Sequence, residues 1–209
     1  MKRVTRTRIL SATGALLAGA AIAIGLSSLG SGHGVSPGGG KKLALAPLAS
    51  GNLGQRFDLL SRLHTNKCSL AAGSLSAIAS HGRLQGSCCS AMVYREYVRQ
   101  IHGLKRYAAV PEIPSDPYDI AVDLAAQLVG YDRSITLTPS QQSVYDRAIK
   151  LSHEHGPCCC RCWRWSAFGG QAKELISRRR YDAQQIARVW DLEDGCGGGG
   201  GASGSMMMS

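Results

Sequence analysis

Acidic residues are few, 14 Asp and Glu among 209 residues, and none occurs before Asp58. Strand-like alternation is nearly absent, with only Ser134 to Leu137 hinting at it, which excludes a domain built on a sheet. No self-similarity appears at periods of about 20 to 50 residues, so solenoids and propellers are excluded. No cysteine follows the N-terminal apolar run closely, the first being Cys68, which excludes a lipoprotein anchor. Arg6 and Arg8 are split by Thr7, which argues against a twin-arginine signal. Trp163, not His, follows Cys162, so a c-type haem attachment is excluded there. The 26 glycines sit mostly in two patches and carry no collagen-like period. An apolar content of 44% with a mean hydropathy of -0.07 excludes a wholly disordered chain and a multi-spanning membrane protein.

The charge balance is basic: 24 Lys and Arg give a net +10. Four of those residues (Lys2, Arg3, Arg6, Arg8) precede the uncharged segment Ile9 to Leu29, and without them the balance falls to +6. A basic run before about 20 apolar and small residues just spans a hydrocarbon core of about 30 Å. The span reads as an uncleaved membrane anchor or as a signal peptide, residues 1–8 forming its basic flank. Positive charge before the span places the N-terminus in the cytoplasm and the rest of the chain outside; cleavage would make the chain secreted. Residues 30–52 read as a Gly/Ser/Pro-rich linker, residues 53–196 as the foldable Cys-rich unit, and residues 197–209, with Met206, Met207 and Met208, as a low-complexity tail.

Within that unit the periodicity predicts an all-α domain of five or six short helices. Ser90 is placed to cap a helix carrying Val93, Tyr94, Tyr97, Val98 and Ile101 and ending at Gly103. Asp116-Pro117 is expected to open the next, with Ile120, Leu124 and Leu128 on one face and Gly130 as its stop. Thr138 and Gln141 form a capping box for a helix reaching about His155, and Asp182 and Gln185 form another for a helix to Leu192. Ser166 to Ile176 completes the set.

The chemistry lies in eight cysteines: Cys68, the Cys88–Cys89 pair and the run Cys158, Cys159, Cys160 and Cys162, the pair and the run both at helix junctions, and Cys196 just after the last helix. Helix N-termini and nearby arginines favour thiolate over thiol, and the thiolate is what metals, disulfide exchange and nucleophilic attack require. Cys159 and Cys162 form a C-x-x-C knuckle suited to tetrahedral zinc or to an iron–sulfur cluster. Cys88, Cys89, Cys158 and Cys160 can complete the sulfur set, and His155, with His153 beside it, is a candidate nitrogen ligand. The absence of a second clean C-x-x-C pair makes soft Cu(I), which tolerates irregular thiolate spacing, a further candidate. Cys68 and Cys196 are candidates for disulfides to a cluster.

The strings RLQGSCC (83–89), ITLTP (135–139), GPCCCRCWRW (156–165) and ARVWDLEDGCGG (187–198) resemble a family of uncharacterised prokaryotic Cys-rich proteins. The resemblance runs roughly from Cys68 to Gly198. It implies that the cysteine clusters belong to one recurring domain, and it brings no activity, cofactor or catalytic residue.

Three functions stand open at this point: a membrane-tethered, extracytoplasmic thiolate metal or metal–sulfur domain, a thiol–disulfide redox enzyme, and a disulfide-stapled interaction module. Eight is an even number, as a disulfide framework needs, yet three consecutive cysteines pair poorly with one another. Nucleic acid is not an expected partner, because Arg178, Arg179 and Arg180 lack an aromatic platform and a binding motif. Trp163 and Trp165 read as core or shielding residues, and Asp116, Asp119 and Asp123 as helix-end charges or, less simply, a carboxylate site.

Overall fold

A computed structural model describes residues 49–78 and 82–197. The basic N-terminus, the apolar segment, nearly all of the linker and the Gly/Met tail beyond Gly197 lie outside the described residues. Among the described residues no helix is long and apolar enough to cross a membrane.

The described chain is mostly helical with little strand, in keeping with the all-α expectation. Its helices are α1 (Leu53–Leu60), α2 (Tyr94–Leu104), α3 (Val122–Ser134), α4 (Pro139–Leu151), α5 (Trp163–Arg179) and α6 (Ala183–Glu193). Two 3₁₀ pieces, Ala72–Ala77 and Lys105–Tyr107, connect them. The capping boxes behave as their sequences dictate. Thr138 accepts from the Gln141 amide at the start of α4, and Asp182 accepts from the Gln185 amide at the start of α6. Asn52 and Gln55 form a third box, which starts α1, a helix the periodicity reading does not contain.

Two expected helix starts are corrected. Ser90 does not cap α2: Val93 holds that position, and the Ser90 hydroxyl donates instead to the Cys196 carbonyl at 2.6 Å. Asp116-Pro117 does not open α3, which begins at Val122 after the strand β2 (Asp119–Ala121). That strand pairs antiparallel with β1 (Arg83–Gln85), Leu84 opposite Ile120. The acids there hold the ribbon to its neighbours rather than start a helix. Asp116 accepts from Tyr97 Oη at 2.8 Å and pairs with Arg56, while Asp119 pairs with Arg83 and accepts from Gln85 Nε2 at 3.1 Å. Gly130 lies inside α3 rather than ending it, α4 stops at Leu151, and α5 starts three residues earlier than expected.

The main core gathers Leu84, Ile120, Leu128, Trp163, Phe168, Leu175, Ile186 and Trp190, all at most 2% exposed. Burial of each such side chain is worth about 1.5–3 kcal/mol. Helix α3 packs along α5, and Gly170 makes their close approach possible. A Cβ at that position would sit 2.0 Å from the Leu128 carbonyl oxygen. Helix α4 lies against α6 with Tyr145 edge-on to Trp190 at 5.5 Å. A smaller cluster of Leu60, Met92, Tyr97, Ile101 and Tyr118 fastens α1 to α2. Cys158, Cys162 and Cys196 belong to the main core, so the sulfur-bearing loops rest directly on packed helices.

Candidate metal centre

Four chain segments bring the sulfurs together, and the backbone explains how. The segment after β1 runs beside the segment after α6: Cys88 N donates to the Gly195 carbonyl at 3.0 Å, Ser90 N to Cys196 at 3.0 Å and Val93 N to Gly197 at 3.2 Å. The loop bearing Cys68 is tied to the start of α5, where Trp163 N donates to the Leu70 carbonyl at 3.0 Å. Asn66 is the joint between three segments. Its amide accepts from the Trp163 indole at 3.0 Å and donates to the Gly86 carbonyl at 3.0 Å. Gly86, at φ +87°, carries the turn from β1 into Cys88, and a Cβ there would lie 1.7 Å from the Leu63 carbonyl oxygen. The R-L-Q-G-S-C-C string thus needs its glycine for both reasons.

All eight cysteines are free thiols, and their sulfurs form one continuous network. Cys68 Sγ lies 3.2 Å from Cys160, which is 4.0 Å from Cys158. Cys158 is 3.9 Å from Cys162 and 3.8 Å from Cys196. Cys196 lies 2.9 Å from Cys159 and 3.5 Å from Cys88. Cys89 closes the ring, 3.4 Å from Cys88 and 3.5 Å from Cys159. None of these separations approaches the about 2.05 Å of a disulfide bond. They bracket the spacing of about 3.8 Å between two sulfurs on one tetrahedral ion with bonds of about 2.3 Å. Three triads have their sulfurs mutually within 4.8 Å: Cys68, Cys89 and Cys160; Cys88, Cys89 and Cys196; Cys158, Cys159 and Cys160.

Every cysteine expected to bind metal (Cys88, Cys89, Cys158, Cys159, Cys160, Cys162) is therefore in the network, which also takes in Cys68 and Cys196. The sequence reading set these two apart as disulfide partners because each is isolated in the chain. Their places just before the Trp163-bonded loop and just after α6 bring them in. His155 stands outside. It is exposed, at φ +50°, and belongs to none of the triads. His153 is also exposed, with its ring 3.7 Å from Asp191.

The electrostatics favour one thiolate, at Cys158. Arg164 is fully buried, and its guanidinium donates to the Pro117 carbonyl at 3.0 Å and the Glu193 carbonyl at 2.5 Å. Among the described residues it makes no ion pair with a carboxylate within 4 Å. Its positive charge acts on the sulfurs of Cys88, Cys158 and Cys196 and on Asp194, and a buried cation needs such compensation. Cys158 is held well below the ordinary thiol range, because Cys162, Cys196 and Cys88 hydrogen-bond to its sulfur. The neighbours move the opposite way. Cys162 and Cys196 are raised chiefly by their bonds to Cys158, and partial burial pushes Cys89 up to about 12. One thiolate in the cluster thus keeps its neighbours protonated, and a metal cation is the partner that can replace several of those protons together.

The tryptophans of the C-W-R-W string belong to the core, Trp165 at its margin. Trp163 is fully buried, and Trp165 is covered by the Arg161 guanidinium 3.9 Å from its ring centre. No family model, curated protein or solved structure matches this chain.

Proposed function

We propose that this chain is a thiolate metal-binding protein that handles a soft metal ion, held at a membrane by its N-terminal segment with the helical domain outside the cytoplasm. The membrane placement rests on the basic flank and the apolar segment of the sequence. One observation carries the metal reading: sulfurs from four separate segments meet in one unbroken network with no sulfur–sulfur bond. A disulfide framework would draw such sulfurs into pairs, whereas here Cys158 and Cys196 each have three sulfur neighbours within 4.0 Å. The buried Arg164 supports the same reading, since it sets a positive charge beside the sulfurs of Cys88, Cys158 and Cys196.

The test is elemental analysis of protein purified without oxygen from its native host. A soft metal should copurify. Cys159→Ser and Cys162→Ser should each lower both metal content and melting temperature, because ligation energy is part of folding energy. His155→Ala should change neither. A double Cys159→Ser, Cys162→Ser protein that melts as the parent does, from a parent that carries no metal, would end this reading.

A further inference from the structure

We propose that the eight sulfurs form a single thiolate-bridged centre for at least two d¹⁰ ions, Cu(I) or Zn(II), with Cys89 and Cys160 as the bridges and the Cys89–Cys159 side as the port for ion exchange. The proposal rests on the metal-binding reading above and says how many ions, of what class, and by which door.

The count comes first. A tetrahedral ion takes four sulfurs and a trigonal one three. One ion would leave at least four thiols crowded against its ligands at 2.9–4.0 Å with no part in binding. The triads show how the surplus is used. Cys89 belongs to the triads with Cys68 and Cys160 and with Cys88 and Cys196. Cys160 belongs to the first of these and to the triad with Cys158 and Cys159. A sulfur shared between two ion-sized triads is placed as a bridge. Thiolate sulfur has the lone pairs for two metal bonds, and bridging lets few ligands neutralise several cations.

The class of ion follows from the spacing. In an iron–sulfur cluster the cysteines of different irons are separated by an inorganic sulfide core. Here every sulfur has another within 4.0 Å, closer than ligands set apart by such a core. Metal–thiolate bonding without added sulfide fits these separations, and soft d¹⁰ ions form it without imposing one rigid geometry.

Access is graded across the site. Cys158, Cys162 and Cys196 are buried beside Arg164, Cys68, Cys88 and Cys160 are half-buried, and Cys89 and Cys159 are exposed. A structural site is closed on every side; this one presents two sulfurs 3.5 Å apart to solvent. An incoming ion gains bonds to Cys89 and Cys159 as it loses those to its carrier ligand. Each thiol that becomes a ligand releases one proton to water, and no electron moves.

The full chain, reduced and metal-free, can be titrated without oxygen with Cu(I) and separately with Zn(II), and the ion count read by native mass spectrometry. The expected result is a species with two or more ions, with few or no thiols open to alkylation once loaded. Cys89→Ser and Cys160→Ser should each lose at least one ion per chain while far-UV circular dichroism stays that of the parent. In a stopped-flow chelator competition the parent should release one fraction of its metal fast, and Cys159→Ser should lose that fraction. Saturation at a single ion with four or more thiols still alkylated would overturn the bridged centre and leave the metal-binding reading intact. Acid-labile sulfide with iron in native-host protein would overturn the d¹⁰ assignment alone. Failure to bind either ion would remove both.

Discussion

Arg164 and Glu193 are side chains whose burial would be costly without partners, and each resolves the cost differently. Arg164 keeps its charge, set among backbone carbonyls and cysteine sulfurs. Glu193, equally buried, accepts from Gln171 Nε2 at 2.6 Å through one oxygen while the other has no hydrogen-bond partner. Burial lifts its carboxyl to about 8, against the pull of Gln171 and of Arg164. Its ordinary value is 4.5, so between the two values the folded chain holds a proton that the unfolded chain has released. Stability contributed by this group is therefore full below about pH 4.5 and is lost as pH rises through about 8. Glu193→Gln should remove that slope, raising stability at about pH 8 relative to about pH 5 by an amount on the order of a few kcal/mol and the urea midpoint with it. Midpoints measured at the two pH values in both proteins check it. An unchanged gap between them would show that the slope arises from other groups.

At the level of helices, the α3–α5 contact separates two glycines that the sequence does not distinguish. A Cβ at Gly170 would strike the Leu128 carbonyl at 2.0 Å and the Asp132 amide at 2.5 Å, whereas one at Gly130 would meet nothing within 4 Å. Gly130→Ala should stabilise the protein by about 0.5–1 kcal/mol through helix propensity. Gly170→Ala should destabilise it, because separating two packed helices costs about 1–3 kcal/mol and outweighs the same gain in propensity. Opposite shifts of the urea midpoint are the expected outcome; shifts of the same sign would mean that α3 and α5 do not approach closely there. The elements legible beforehand were those written in local chemistry. The Thr138–Gln141 and Asp182–Gln185 boxes start their helices where side chain and backbone three residues apart satisfy each other, needing nothing from the rest of the chain. The β1–β2 ribbon was not legible, since two strands of three residues, 36 positions apart, carry no period long enough to read. Ser90 misled for a related reason: its hydroxyl has a local acceptor role by type, and a distant carbonyl at Cys196 claimed it.

Across the whole molecule, the sulfur site and the helical core are joined but separately stabilised. That the clusters should meet was legible from their crowding and their places at helix junctions. The inclusion of Cys68 and Cys196 was not, because it depends on Asn66, Trp163 and the pairing of residues 88–93 with 195–197, all contacts between segments far apart in sequence. The core beneath is closed by apolar side chains such as Leu128, Phe168, Leu175 and Trp190, which need no metal. A unit of this length buries enough surface to fold without a staple, unlike a small zinc finger, which is unfolded without its ion. Metal removal should therefore lower the melting temperature yet leave the far-UV helical signal in place at room temperature. The change should be local. Amide hydrogen exchange should rise around residues 65–70, 86–92, 157–162 and 194–197, the four segments that meet at the sulfurs, while the centres of α3 and α5 keep their protection. Reloading with Zn(II) or Cu(I) should restore the loops. Exchange that rises uniformly through α3 and α5 on chelation would make the ion a condition of folding rather than a clasp on a fold that stands without it.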